Sequence, residues 1–332
     1  MTAIAVLGST NMDLVAYVPK APRLGETVTG RAFRTVPGGK GANQAVAAAR
    51  CGAEVLMIGA VGADEFGARL RSALAAAGVG TAGLRTVEGA SGTAHITVDD
   101  EGANSIIVVP GANARVTGLE AGDAARIAAA ETLLLQLEVP LSGVTAAARA
   151  ARAHGVRTVL TPAPAQPLPV ELLASVDLLV PNEHEAAALT GLTDPRQAAA
   201  ALLERVPEVV VTLGAAGALY AARGKEPFTV PAPRVRAVDS TAAGDTFVGA
   251  LAVALGEGRP MRGALAWACA AAALSVLRPG AQDSMPTRAE TEAFALAGTG
   301  TGPDRGPAAR QAAQPPGPGP AARPLPAHGA DA

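Results

Sequence analysis

Twelve residues, Asp239 to Ala250, read DSTAAGDTFVGA and hold two acids with only small residues between them. Gly244 stands directly before Asp245, and an apolar run of helical character follows. Small side chains let a backbone turn tightly and approach a ligand. The first N–H groups of a helix lack internal partners, and the helix dipole favours negative charge there. Such an opening is an anion site, suited to a phosphate whose charge grows during transfer. A carboxylate in the same first turn can take a proton from a hydroxyl nucleophile. Together these parts serve phosphoryl transfer to an alcohol. The plainer alternative makes Asp245 an ordinary helix cap.

Four further segments carry related groups. PGGKGANQAVAAA, Pro37 to Ala49, is a glycine-rich turn before a helix, with Lys40 and Asn43 as donors. It is not a Walker A loop, because Gly41 and not Ser or Thr follows the lysine. A tight turn with a solvated lysine reads the same way. In STNMDLV, Asn11 and Asp13 follow the first strand, where open α/β sheets bind ligands. A carboxylate with an amide suits vicinal sugar hydroxyls; a turn with polar caps is the alternative. In PNEHEA, Asn182 and Glu185 are three apart and share one face of a helical turn. They suit Mg²⁺ held through its waters, or a simple capping arrangement. His184 between them has no zinc spacing around it. TLGAAG, Thr212 to Gly217, is a small-residue turn after a strand, placed to line a nucleotide pocket.

Short aliphatic runs alternating with alanine-rich helical stretches must position these groups. AIAVLG, AEVLMIGAVG, TLLLQLE, RTVL, VDLLV and EVVVTLG read as strands, the last four each followed by helix-like sequence. Strands without strict polar alternation, separated by helices, predict a mainly parallel sheet buried on both faces. One helix is expected to close at Gly52, and another to run from an Asp64 cap to Gly78. Two segments break the rhythm, residues 13–37 and 92–110. The second alternates around a DDEG turn and reads as a hairpin. The two are expected to pair as a small accessory sheet whose apolar face needs a cover.

At 332 residues the chain suffices for one large α/β domain or two small ones. Aromatics make up only 2% of it, so its core must rely on close contact between small side chains. A net charge of −2 gives no footprint for nucleic acid or an anionic membrane. Cys51 and Cys269 have no C-x-x-C spacing and read as buried thiols in a reducing compartment. The N-terminus lacks a basic region and a long apolar run, and no stretch approaches the roughly 18 apolar residues of a membrane span. A cytoplasmic protein is expected. Residues 298–332 carry one large aliphatic residue, Leu325, and no aromatics, and read as a disordered Pro/Ala/Gly-rich tail.

The order GSTNMD, PGGKGAN, LLLQLE, PNEHEA, TLGAAG, DSTAAGDTFVGA and RPGAQ resembles the ribokinase/phosphofructokinase-B family of carbohydrate kinases over residues 3–297. GGKGAN with NMD points to its ribokinase branch. The resemblance implies a three-layer αβα domain with a small β-sheet lid, and phosphorylation of ribose at its 5-hydroxyl by ATP. It makes Asp245 the base and the amides of Ala242, Ala243 and Gly244 the anion hole. It assigns the sugar to Asn11, Met12, Asp13, Gly39, Lys40, Gly41, Ala42, Asn43 and Glu138, with Asp245. It assigns ATP to Asn182, Gly244, Asp245, Cys269 and the turn Thr212, Leu213, Gly214, Ala215, Ala216 and Gly217. Mg²⁺ falls to Asn182 and Glu185 through water. An activating K⁺ falls to Asp239, Thr241, Ser275, Arg278, Gly280 and Ser284. The lid implies a homodimer. Cys269 departs from the polar adenine neighbour frequent among relatives, and Pro279 stiffens the K⁺ loop. Another sugar or nucleoside kinase acting on deoxyribose, fructose or adenosine remains open, as does a sugar sensor without catalysis. A dinucleotide-dependent oxidoreductase is the third rival, and against it VLGSTNMD offers one glycine where G-x-G-x-x-G needs three.

Overall fold

The aliphatic runs form strands whose side chains alternate between two buried layers in the computed structural model, which describes residues 2–299. Along β1 (Ala3–Leu7), Ile4 and Val6 enter one core while Ala5 and Leu7 enter the other. The same split runs through β8 (Thr132–Leu135), where Leu134 opposes Leu133 and Leu135. It recurs in β11 (Glu208–Thr212), where Val210 opposes Val209 and Val211. A strand buried on both faces leaves no position for a polar residue, which is why its sequence does not alternate.

Helices α1 (Lys40–Arg50), α2 (Glu65–Ala76), α8 (Ala243–Gly256) and α9 (Met261–Ser275) cover the first core. The second lies under α3 (Asp123–Ala128), α4 (Leu141–Ala153), α5 (Val170–Leu173), α6 (Glu183–Thr190) and α7 (Pro195–Leu202). The result is a three-layer αβα architecture. A last helix, α10, spans Arg288–Thr299. The expected caps are present. Asp64 accepts from the Gly67 N–H at 2.7 Å, and Gly52 and Gly78 follow their helices with positive φ. Small residues do bring helices together. A Cβ on Gly249 of α8 would lie 2.7 Å from the Ala47 methyl of α1. That contact sets α1 against the helix that carries Asp245.

The main sheet has nine strands. Its order is β13 (Lys225–Val230), β12 (Ala218–Ala222), β11, β10 (Leu178–Leu179), β9 (Arg157–Leu160), β8, β1, β4 (Glu54–Gly62) and β5 (Val79–Val87). From β11 to β5 every pairing is parallel. Strand β5 has no counterpart among the expected strands. After β11 the expected helix is replaced by an antiparallel hairpin, β12–β13. The reason is local. Gly214 and Gly217, at φ +53° and +105°, reverse the chain, and Tyr220 and Phe228 meet across the hairpin with ring centres 5.2 Å apart.

The second sheet has the order β3 (Ala32–Gly38), β2 (Asn11–Tyr17), β6 (Gly92–Val98) and β7 (Asn104–Val109). The two irregular segments thus pair through β2 and β6, in parallel. The Asp99 carboxylate shapes the DDEG turn by accepting from the Glu101 and Ala103 N–H groups. Ile106, Ile107, Val108, Val109 and Phe33 stay exposed, Ile107 to 68%. The tail expected from residue 298 lies, from residue 300 onward, outside the described residues. Among those described, no helix is long and apolar enough to cross a membrane.

Candidate active site

Strand β1 is flanked by β4 on one side and β8 on the other, so the chain changes direction of travel across the sheet there. Ligands of open α/β sheets bind beyond the carboxyl ends of strands at such a switch. Ser9, Thr10 and Asn11 leave β1 at this point, Glu138 follows β8, Asn182 follows β10 and Thr212 ends β11.

Glu138 gathers several of the groups expected to meet a sugar. Its Oε2 accepts from the Ser9 hydroxyl at 2.5 Å, from the Lys40 backbone N–H at 3.1 Å and from Asn11 Nδ2 at 3.5 Å. Asn11 is oriented from its other end, where Asn113 Nδ2 donates to its Oδ1 at 2.7 Å. Asn113 is itself fixed on Thr10, accepting from its N–H and donating to its carbonyl. The glycine turn packs directly on this network. Gly39 has φ +92°, and a Cβ there would lie 2.8 Å from Asn11 N and Thr10 Cα. Met12 and Ala42 are buried, which leaves their backbones to meet a ligand.

Asp245 is third in α8 and 8% exposed. It does not cap the helix. Its Oδ2 accepts from Asn43 Nδ2 and its Oδ1 from Gln44 Nε2, both at 3.1 Å. The capping position belongs to Ala242, which makes no side-chain cap bond and has φ +57°, the left-handed region. It is the non-glycine residue with positive φ among the described residues, and such conformations cluster at functional sites. Thr246 N–H begins the helical bonding by donating to the Ala242 carbonyl. Ala243 N–H donates to the Ser240 carbonyl at 3.2 Å, while the Ala242 and Gly244 N–H groups find no backbone acceptor among the described residues.

The electrostatics follow from burial of several acids around one ammonium. Burial raises the Asp245 carboxyl; Lys40 and the two amide donors oppose it, and Glu138 adds to it. Burial pushes Asp13 up to about 7, with Glu138 and Asp245 contributing. Burial opposes charge on Lys40, but Asp245, Glu138 and Glu185 outweigh it and hold the ammonium above its ordinary value.

Asn182 and Glu185 form a complete capping box. Asn182 Oδ1 accepts from Glu185 N–H at 2.8 Å, and Glu185 Oε2 accepts from Asn182 N–H at 2.9 Å. The capping alternative is thus present, and burial still raises Glu185, which lies in the field of Lys40 and Asp245. His184 is exposed beside them. Among the described residues no group of three or more His, Cys, Asp or Glu is placed to hold a metal ion.

The remaining expected residues lie on the turn after β11, on the loops around Asp239 and Gly280, and on α9. Gly214, Ala215 and Ala216 form an exposed turn whose only hydrogen bonds are backbone ones with Leu213 and Gly217. Asp239 joins two loops. Its Oδ1 accepts from the Thr241 N–H and hydroxyl, and its Oδ2 from the Gly280 N–H at 2.8 Å. These bonds hold its carboxyl below the usual range against the cost of burial. Ser275 and Ser284 are buried and donate to the Ala272 and Ala281 carbonyls, and Arg278 pairs with Glu290. Cys269 sits in the first core, 3% exposed, and burial pushes its thiol up to about 12. Its side chain is core packing and offers almost no surface to a nucleotide base.

Several site residues escaped sequence reasoning. Asn113 lies outside every motif, and Ser9, Gln44, Gln136 and Gln282 lie within motifs that gave them no role, because each acts through a partner far along the chain. Gln282 Nε2 donates to Asn43 Oδ1, and Gln136 Nε2 donates to Gln44 Oε1.

The chain resembles known proteins over nearly all the described residues. The pfkB family carbohydrate kinase model matches residues 1–288. A ribokinase of Bacillus subtilis (strain 168) is 45% identical over 295 residues, covering 88% of this chain and 99% of its own. One of Haemophilus influenzae is 44% identical over 299 residues, covering 88% and 97%. A solved Arabidopsis thaliana ribokinase complexed with ribose and ATP is 35% identical with a TM-score of 0.84, covering 89% of this chain and 99% of that one.

Proposed function

The chain belongs to the pfkB family of carbohydrate kinases, and from that premise we propose that it moves the γ-phosphoryl group of ATP to the 5-hydroxyl of D-ribose. The products are D-ribose 5-phosphate and ADP. The observation that carries the reading is a buried carboxylate, Asp245, in the first turn of a helix whose opening amides are not all used. Asp245 takes the proton of the 5-hydroxyl as that oxygen bonds to the γ-phosphorus. The bridging oxygen–phosphorus bond breaks and its electron pair leaves with ADP. Burial raises the proton affinity of Asp245, which suits a base acting on an alcohol. The Ala242, Ala243 and Gly244 amides stabilise the growing charge on the phosphoryl oxygens. Ala243 contributes least while its N–H stays on Ser240.

On the sugar side, Asp13, Asn11, Asn43, Lys40 and Glu138 offer acceptors and donors to vicinal hydroxyls, and Gly39 and Gly41 let the backbone close on the ring. The turn 212–217 and Asn182 receive the nucleotide. Mg²⁺ fits Glu185, a half-buried carboxylate beside Lys40, which would hold it through water and thereby neutralise phosphate charge. K⁺ fits the joint at Asp239, an ionised carboxylate between two loops, where it would fix the loop that leads into Ala242. The small sheet acts as a lid that excludes water, which would otherwise accept the phosphoryl group. Its exposed β7 and Phe33 support pairing with a second copy, giving a homodimer. Use of ATP suits a cytoplasmic setting.

The test is coupled ADP release with ribose, deoxyribose, fructose and adenosine, in K⁺ and in Na⁺. Ribose in K⁺ is expected to turn over fastest. Asp245→Asn is expected to lose at least about 100-fold in kcat, and an unchanged rate would remove the base from the mechanism. Sedimentation at micromolar concentration is expected to give a dimer; a monomer would refute the pairing.

A further inference from the structure

Two amides hold the Asp245 carboxylate, and both are oriented from behind by a second glutamine. An amide side chain has a donor end and an acceptor end of nearly equal shape. Left free, Gln44 could present either end to Asp245. It is not free. Gln136 Nε2 donates to Gln44 Oε1 at 2.6 Å, which occupies the acceptor end and leaves Nε2 facing the carboxylate. Thr161 Oγ1 lies 3.3 Å from the same Nε2 and takes the second donor. Gln44 and Gln136 are both fully buried, so no water competes for these bonds. Gln136 is pinned in turn, because its Oε1 lies against Gly8, where an added Cβ would sit 2.0 Å away. That oxygen makes no hydrogen bond of its own. The end of Gln136 that is hydrogen-bonded is the one that meets Gln44, so its donor is committed to orienting that neighbour. On the other oxygen the pattern repeats, with Gln282 Nε2 on Asn43 Oδ1 at 3.2 Å.

We propose that Gln44 is a positioning residue for the Asp245 carboxylate, and that Gln136, reaching from the end of β8, sets which end of the Gln44 amide the carboxylate meets. The inference rests on Asp245 being the base. Its consequence is geometric and electrostatic. With both oxygens receiving N–H donors, the carboxylate cannot rotate about its last bond without breaking one of them, and the two bonds act to lower a carboxyl that burial raises. The charged groups that face Asp245 are Lys40 on α1, Glu138 after β8, Asp13 on β2 and Glu185 on α6. All four remain when Gln44 or Gln136 is changed, so a change in titration reports the amides.

The experiment is a pH profile of kcat with saturating ribose and MgATP in the full-length protein. Gln44→Met keeps the length of the side chain and removes the donor. Its acidic limb is expected to move up by about one pH unit, the size of a lost hydrogen bond to a charged group. The ribose KM should change by less than about threefold, because the residue acts through Asp245. Gln136→Leu should move the limb in the same direction by less, and it carries the test if Gln44→Met does not fold. A merely structural role would lower the melting temperature and leave the limb in place. A limb at the wild-type pH in folded Gln44→Met and Gln136→Leu would overturn the proposal. If Asp245→Asn keeps wild-type turnover, the base assignment itself has failed. The orientation claim is then read without turnover, from the ¹³C carboxyl titration of Asp245 in wild type and Gln44→Met. An unshifted titration there sinks it independently.

Discussion

The two halves of the proposed site are built by opposite means. In the half proposed for the sugar, groups from four separate stretches of sequence meet through direct hydrogen bonds, with Glu138 and Asp245 as the hubs. Those bonds span from 98 to 202 residues of chain. In the half proposed for the nucleotide, the turn 213–217 is, among the described residues, hydrogen-bonded to itself through its backbone. Rigid, buried, charge-assisted contacts discriminate one pattern of hydroxyls from another, because a hydroxyl that is absent leaves a buried group unpaired. An exposed turn of Gly and Ala has no such group to leave unpaired. On the proposed assignment, a missing hydroxyl would leave a buried group unpaired on the acceptor side, while the turn 213–217 has no such group to lose.

Substituting equivalent residues at the two ends sharpens the contrast. Gly39→Ala should be the most damaging. It adds a Cβ 2.8 Å from Asn11 N at φ +92° and ψ 135°, a conformation that suits glycine. Backbone strain and overpacking each cost about 1–3 kcal/mol, so kcat/KM for ribose should fall by about 100-fold or more, measured by steady-state kinetics beside a thermal melt. Glu138→Gln comes next. The amide keeps an acceptor for Ser9 and loses the charge, and a fall of about tenfold in kcat/KM is expected. A loss confined to the ATP KM would break the assignment of Glu138 to the sugar end.

The pH dependence of sugar binding follows. The Asp13 carboxyl titrates at about 7 in the ligand-free protein. If its ionised form accepts the sugar hydroxyls, the ribose KM rises as pH falls, by about fivefold between pH 7 and pH 6. Stability carries the opposite sign. The folded-state value lies above the ordinary 3.8, so between roughly 3.8 and 7 the unfolded chain gives up this proton first. This one group therefore lowers stability as pH rises through that window. Measuring the ribose KM and the melting temperature from pH 5.5 to 8 checks both signs, and a flat KM would detach Asp13 from the sugar. The smallest effect belongs to the nucleotide end. Gly214 has φ +53° but nothing within 4 Å of an added Cβ. Gly214→Ala should cost about 1–2 kcal/mol of local strain and change the ATP KM by less than about threefold.

Legibility in the sequence divides along the same line. Motifs at strand ends were readable because each is contiguous: GSTNMD, GGKGAN, PNEHEA and the turn before α8 announce themselves by residue type. The three layers were readable because strands buried on both faces leave no polar position. Partnerships were not. Nothing local marks Gln44 as a donor to a residue 201 positions away, or Gln136 as the group that orients it. Asp245 also read as a possible cap, and only its two amide donors and the left-handed Ala242 exclude that. The hairpin after β11 was missed because VTLGAAG looks like a strand running into a helix until Gly214 and Gly217 reverse it. Cys269 takes its place from the order of motifs along the chain, and its burial on α9 leaves its side chain little surface for a base.

The separation of Asn43 from Asp245 has a bearing on how the protein is made. A chain emerging from the ribosome exposes Asn11, Lys40, Asn43 and Glu138 well before residue 245 has been synthesised. The bonds that orient the carboxylate therefore cannot form until α8, in the last third of the polypeptide, has been made and has docked on α1.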